Sequence, residues 1–183
     1  MKSEKVVIYA RQSSGSDDQS ESIDFQIQQC QELAMSSHLE VIGVYSDYNS
    51  SGRLYPTGAE SVAEQDMAFL KWRRERTIDK QYRIGLGDAL AKLAMADYLL
   101  VYDTTRLCRP VRNSFLQQYL DNILIEAKVK LMTVKDGCSN PNSFTDSLVN
   151  TIKSHVNDNQ TQLTAEKSRK AMLRLRATDL TLR

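Results

Sequence analysis

Apolar residues along this chain follow two rhythms. The unbroken runs Val6-Val7-Ile8-Tyr9-Ala10 and Tyr98-Leu99-Leu100-Val101-Tyr102 read as strands covered on both faces, the kind that builds parallel sheets. Residues 39–46 and 129–134 read as two more strands. Between them the apolar positions take helical spacing. Ile23, Ile27, Cys30 and Ala34 predict a helix capped at Ser20 or Ser22 and ending near residue 37. Leu86, Leu90 and Leu93 predict one over 84–95, and Phe115, Leu116, Leu120, Ile123 and Leu124 one over 113–127. Residues 12–20, rich in Ser, Asp and Gly, read as a loop. Strands alternating with helices predict an α/β domain: a mostly parallel sheet of four to five strands flanked by helices.

Two segments depart from that alternation. After Pro141, the positions Leu148, Ile152, Val156 and Leu163 fit one long helix from about 144 to 176. Such a helix would run roughly 45 Å at 1.5 Å per residue. A stripe that long is expected to pack partly on its own domain and partly on another subunit. The division is therefore 1–140 as the α/β domain and 141–183 as a long oligomerisation helix. Residues 53–82 are charged and broken by Pro56 and Gly58, with a possible helix over 61–76. That helix either buries Phe69, Leu70 and Trp72, or presents Lys71, Arg73, Arg74 and Arg76 to a partner.

A chain of 183 residues, 41% hydrophobic, can bury one packed core with an extension. There is no apolar run long enough for a membrane span and no apolar segment near the N-terminus to act as a signal peptide. Cys30, Cys108 and Cys138 show neither metal nor disulfide spacing, which fits a reducing, cytoplasmic setting. His38 and His155 are far apart, so no metal site is expected. The net charge is only +1, but it is unevenly spread. From Glu166 to Arg183, Lys167, Arg169, Lys170, Arg174, Arg176 and Arg183 face only Glu166 and Asp179. This is either the footprint of a nucleic acid or a helix end whose cations complement its dipole.

The candidate chemistry lies where the two apolar runs end. The first empties into Arg11-Gln12-Ser13, the second into Arg106-Leu107-Cys108-Arg109. In one parallel sheet those ends share an edge, where open α/β sheets hold ligands. Serine needs activation to be a nucleophile, and several guanidiniums beside it suit a phosphate, whose oxygens they bind in pairs. The alternative is that Arg106 and Arg109 pair with Asp47, Asp97 or Asp103. No glycine-rich phosphate loop is present, which argues against a generic nucleotide-binding protein.

At this point the chain resembles a known family, the catalytic domain of serine site-specific DNA recombinases: resolvases, invertases and large serine integrases. The resemblance is carried by Tyr9-Ala10-Arg11-Gln12-Ser13, by Ser22 to Gln26, and by Tyr45-Ser46-Asp47 with Ser51-Gly52. It continues in Arg83-Ile84-Gly85-Leu86 and Arg106-Leu107-Cys108-Arg109. It implies Ser13 as nucleophile and Arg11, Arg83, Arg106 and Arg109 as phosphate binders, with Gln26, Asp47 and Ser51 in support. It implies that the serine attacks double-stranded DNA, forms a 5′-phosphoserine link and rejoins the strands, with no cofactor and no metal. The partners implied are DNA and further copies of the chain, a homodimer assembling to a tetramer. Lys167, Arg169, Lys170, Arg174 and Arg176 would then meet the DNA backbone. Family members continue into a separate DNA-binding domain, and this chain is expected to end before one. Two positions depart from the family pattern. Thr105 stands where an aspartate is common, and Gln160 where many members carry glutamate. Asp103, two residues earlier, is expected to point to the other side of a continuing strand. These departures motivate the alternative: a catalytically degenerate DNA-associated or assembly module that keeps the fold.

Overall fold

Alternate residues of the first strand serve two different cores. The computed structural model describes residues 3–13, 22–75, 82–108, 115–135 and 137–139. In chain order these form β1 (Lys5–Arg11), α1 (Ile23–Ser36), β2 (Glu40–Asp47), β3 (Tyr55–Pro56), α2 (Glu60–Gln65), α3 (Met67–Glu75) and β4 (Tyr82–Arg83). There follow α4 (Ile84–Lys92), β5 (Tyr98–Val101), α5 (Thr104–Leu107), α6 (Phe115–Ala127), β6 (Lys130–Thr133) and β7 (Gly137–Ser139). Val6 and Ile8 point to the α1 face, where they join Cys30, Ala34 and Leu100. Val7 and Tyr9 point to the opposite face, against Leu86, Ala89, Leu116 and Leu120 of α4 and α6. By the same two-residue period, Arg11 falls on the α4 face.

The main sheet has the order β2-β1-β5-β6-β7. β1 is parallel to β2 and β5, and β5 is parallel to β6. The short β7 closes the edge antiparallel to β6. This is the mostly parallel sheet expected from the sequence. The chain leaves β1 for β2 on one side and returns to β5 on the other. The carboxyl ends of β1 and β5 therefore flank the position where strand order reverses, which is where a doubly wound sheet opens a crevice.

Residues 53–75 and 82–83 hold more regular structure than their composition suggests. β3 and β4 pair in parallel through Tyr55↔Tyr82 and Pro56↔Arg83. The single helix expected over 61–76 is two helices, because Asp66 ends one and starts the next. Its Oδ1 accepts from the backbone N–H of Ala68 (3.0 Å) and Phe69 (3.1 Å), capping α3. Its Oδ2 accepts the Tyr55 hydroxyl at 2.7 Å. Phe69 is buried edge-on to Tyr55, with ring centroids 5.1 Å apart, and Trp72 packs behind it. Lys71 and Arg74 are exposed.

α4 approaches β2 so closely that only glycine fits at its start. A Cβ on Gly85 would lie 2.7 Å from the Ser46 carbonyl carbon and closer still to its oxygen. Both are backbone atoms, so a side chain there forces the helix off the sheet. Gly85→Ala is expected to lower folding stability by about 1–3 kcal/mol. In urea unfolding this should appear as a lower midpoint at an unchanged slope.

Candidate active site

The peptide of Arg11 ends β1 with a side chain as its neighbour. Gln26, fully buried on α1, accepts the Arg11 N–H through Oε1 (3.2 Å) and donates from Nε2 to the Arg11 carbonyl (3.0 Å). An amide side chain thus takes the part of an adjoining strand and satisfies a buried donor and acceptor together. One residue on, Gln12 donates to the Asp47 carbonyl (3.1 Å) and accepts from the Ser50 N–H (3.0 Å). The backbone is fixed on both sides up to Ser13, whose side chain is partly exposed.

Behind this stretch lie three buried arginines. Arg11 donates from Nε to the Arg106 carbonyl (3.1 Å), from Nη1 to the Ser50 carbonyl (2.6 Å) and from Nη2 to the Thr105 carbonyl (2.9 Å). Arg83 donates from Nε to the Leu54 carbonyl (2.8 Å) and from Nη1 to the same Arg106 carbonyl (3.2 Å). Both arginines are 0% exposed, and Arg106 is 6% exposed. The Nη2 of Arg83 has no hydrogen-bond partner among the described residues.

Asp47 and Tyr9 fasten this cluster to α4. Asp47 accepts from the Gly85 N–H (3.0 Å) and the Leu86 N–H (2.9 Å), capping a helix whose own preceding residue, Arg83, supplies no side-chain cap. The Tyr9 hydroxyl donates to Asp47 (3.0 Å) and lies 3.5 Å from Arg83 Nη1. Burial pushes the Tyr9 phenol well above its ordinary range, so it stays protonated and able to donate. Burial likewise raises the Cys108 thiol to about 11, although the Arg83 and Arg11 charges pull the other way. It is no thiolate nucleophile at neutral pH.

Asp103 is placed differently from the expectation. β5 ends at Val101, so no strand continues to carry Asp103 to the far side. Asp103 instead caps the four-residue helix α5. Its Oδ1 accepts from the Thr105 N–H (2.9 Å) and from the Thr105 hydroxyl. Its Oδ2 lies 3.4 Å from Arg106 Nη2 and 3.4 Å from Lys135 Nζ. Of the partners weighed for Arg106, this is the one adopted. Burial alone would raise the Asp103 carboxyl. The Thr105 hydroxyl, Arg106 and Lys135 outweigh it and hold the group below its ordinary range. Three buried arginines against two buried carboxylates, Asp47 and Asp103, leave this edge with a positive excess.

The structure thus brings Arg11, Gln26, Asp47, Arg83 and Arg106 together at the end of β1, two residues before Ser13. Ser51 lies on the adjoining turn, where its hydroxyl accepts from the Arg53 N–H (3.3 Å). Arg109, Lys167, Arg169, Lys170, Arg174, Arg176, Gln160 and the helix expected over 144–176 lie outside the described residues. Tyr9, Ser50 and Lys135 were not anticipated. Tyr9 reads as core, Ser50 meets Gln12 and Arg11 through its backbone N–H and carbonyl, and Lys135 is remote from every motif. Among the described residues no group of three or more His, Cys, Asp or Glu could hold a metal, and no helix is long and apolar enough to cross a membrane.

The family model described as "Resolvase, N terminal domain" matches residues 6–57 and 57–180. The N-terminal catalytic domain of TP901-1 integrase is similar over 87% of this chain and 98% of that one, with a TM-score of 0.54 and 24% identity. A resolvase family site-specific recombinase from Streptococcus pneumoniae is similar over 91% of this chain and 97% of that one, with a TM-score of 0.54 and 17% identity. At these identities the two structures share the fold. No curated protein matches the chain significantly.

Two outcomes test this geometry. Gln26→Leu removes both of the side chain's hydrogen bonds to the buried Arg11 peptide and leaves Arg106 Nη1, at 3.5 Å, on the Arg11 carbonyl, at about 0.5–1.5 kcal/mol for each bond lost; calorimetric unfolding should register the loss. Asp103 has a lowered folded-state pKa, so its stabilisation is present above the ordinary aspartate value of 3.8 and is lost as pH falls through the lower folded value. Asp103→Asn should therefore flatten the acid limb of a stability–pH curve, and an unchanged limb would contradict the assignment.

Proposed function

We propose a reaction for this chain from one premise: it belongs to the resolvase N-terminal domain family. It is a site-specific DNA recombinase in which Ser13 Oγ attacks the scissile phosphate. The Oγ–P bond forms and the P–O3′ bond breaks, which leaves a phosphoserine on the 5′ end and a free 3′ hydroxyl that takes up a proton. Rejoining is the reverse attack by a 3′ hydroxyl. Because the phosphoserine conserves the energy of the phosphodiester, the cycle needs no nucleotide cofactor. Arg11, Arg83, Arg106 and Arg109 offset the charge that spreads over the phosphoryl oxygens, the part a metal ion plays in other phosphoryl-transfer sites. Gln26, Asp47 and Ser51 hold the backbone that presents these groups.

The observation that carries this reading is the concentration of positive charge at the end of β1. The Arg11 and Arg83 guanidiniums converge on the Arg106 carbonyl, the Arg106 guanidinium lies between the Asp103 carboxylate and the Arg11 carbonyl, and Arg11 stands two residues before a partly exposed serine. A cluster this costly to bury needs a reason beyond folding. Double-stranded DNA is the proposed partner, with Lys167, Arg169, Lys170, Arg174 and Arg176 on its backbone. The segment 141–183 would join two copies, and two such dimers would form the tetramer that exchanges strands. A cytoplasmic setting is proposed with it.

One observation favours the second reading, a degenerate DNA-associated or assembly module. The guanidiniums of Arg11 and Arg83 already serve backbone carbonyls. Covalent trapping separates the two. The protein would be incubated with nicked duplexes carrying candidate sites, and the products resolved on a denaturing gel beside Ser13→Ala. A 5′-linked adduct that disappears in Ser13→Ala is the expected result. DNA binding without any adduct would favour the module, and an adduct that survives Ser13→Ala would move the nucleophile elsewhere, with Ser14 the next candidate.

A further inference from the structure

Asp103 occupies a place in this cluster that the motifs around it do not describe. Its carboxylate grips α5 at both levels. Oδ1 holds the Thr105 N–H (2.9 Å) and the Thr105 hydroxyl, and Oδ2 holds the Arg106 guanidinium (3.4 Å). The two carbonyls of that same turn, Thr105 and Arg106, receive three of the guanidinium N–H groups of Arg11 and Arg83. Rotating α5 would therefore displace all three arginines together. The carboxylate is held in turn from β6. Lys135 Nζ lies 3.4 Å from Oδ2 and 4.9 Å from the centroid of the Tyr102 ring, and the Lys135 N–H donates to the Tyr102 carbonyl (3.2 Å). Val134 donates to the Val101 carbonyl in the same way (3.1 Å), so the exits of β5 and β6 are stitched together.

We infer that Asp103 is the positioning residue of the arginine cluster, acting through Thr105 and Arg106 and oriented by Lys135. A polar residue with one hydroxyl, Thr105, precedes Arg106. Thr105 carries no charge; the negative charge that faces the Arg106 guanidinium is the Asp103 carboxylate, to which the Thr105 hydroxyl donates. Asp103 is 7% exposed and faces two cations, Arg106 on α5 and Lys135 after β6. Charge-assisted bonds of this kind are the stronger ones, and partial burial spares them from screening. Lys135 is 54% exposed at its side chain, so it can be changed without opening a cavity. The role in strand cleavage rests on the reading of Ser13 given above; the role in placing the arginines does not.

The test uses the whole chain labelled with ¹⁵N and two readouts. The first is the set of arginine Nε–H resonances of Arg11, Arg83 and Arg106 at neutral pH, in wild type, Asp103→Asn, Thr105→Val and Lys135→Met. The second is the Ser13-dependent adduct with the nicked duplex. Asp103→Asn and Thr105→Val are expected to displace the Arg106 and Arg11 resonances together. Lys135→Met should move them in the same direction by less, with the fold retained. Adduct formation should fall roughly tenfold in Asp103→Asn, by analogy with the low end of what is lost when the residue that orients a metal ligand is removed. Resonances unmoved in folded Thr105→Val and Lys135→Met would overturn the proposal, even if Asp103→Asn failed to fold. Displaced resonances in a protein whose wild type forms no adduct would uphold Asp103 as the anchor and remove the reading of Ser13 instead.

Discussion

One carbonyl oxygen, that of Arg106, organises this edge of the molecule. It accepts from Arg11 Nε at 3.1 Å and from Arg83 Nη1 at 3.2 Å. A carbonyl has two lone pairs, and here both are engaged by guanidiniums from distant parts of the chain. β1, β4 and α5 therefore meet at a point rather than along a seam. Burying two cations at 0% exposure is unfavourable unless their donors are satisfied and their charge is offset. The Ser50, Leu54 and Thr105 carbonyls supply most of the first, and Asp47 and Asp103 supply the second.

Segment 53–82 belongs to the same arrangement rather than being appended to it. Leu54 gives its carbonyl to Arg83, and the pairing of Pro56 with Arg83 fixes that arginine's backbone. The Thr57 N–H donates to the Arg83 carbonyl at 3.1 Å and closes the contact. Between these anchors, Asp66, Tyr55 and Phe69 give α2 and α3 a core of their own, continuous with the main one. The segment that composition marks as an interruption is thus part of what holds Arg83 in place.

Much of this was legible in the sequence, for a physical reason. A parallel strand covered on both faces must be apolar throughout, so β1 and β5 announce themselves, and the helices show their stripes. The motif arginines could be named, and three of them do converge. Their burial could not be read, because an arginine whose donors meet backbone carbonyls looks in sequence like any solvated one. Nor could the end of β5. Tyr102 prolongs the apolar run, but Asp103 caps a helix there, and a local cap outweighs one more apolar residue. The break at Asp66 has the same origin. Side-chain caps decided both misread boundaries, and periodicity carries no information about them.

The two hydrogen bonds between Gln26 and the Arg11 peptide have a mechanical side. They make helix and strand a geared pair, with Gln26 as the tooth. Sliding α1 along its axis must either drag the Arg11 peptide with it or break both of these bonds, at about 0.5–1.5 kcal/mol each. A load on the outer face of α1, however far from the serine, is transmitted to the backbone that carries Ser13 with almost no slack.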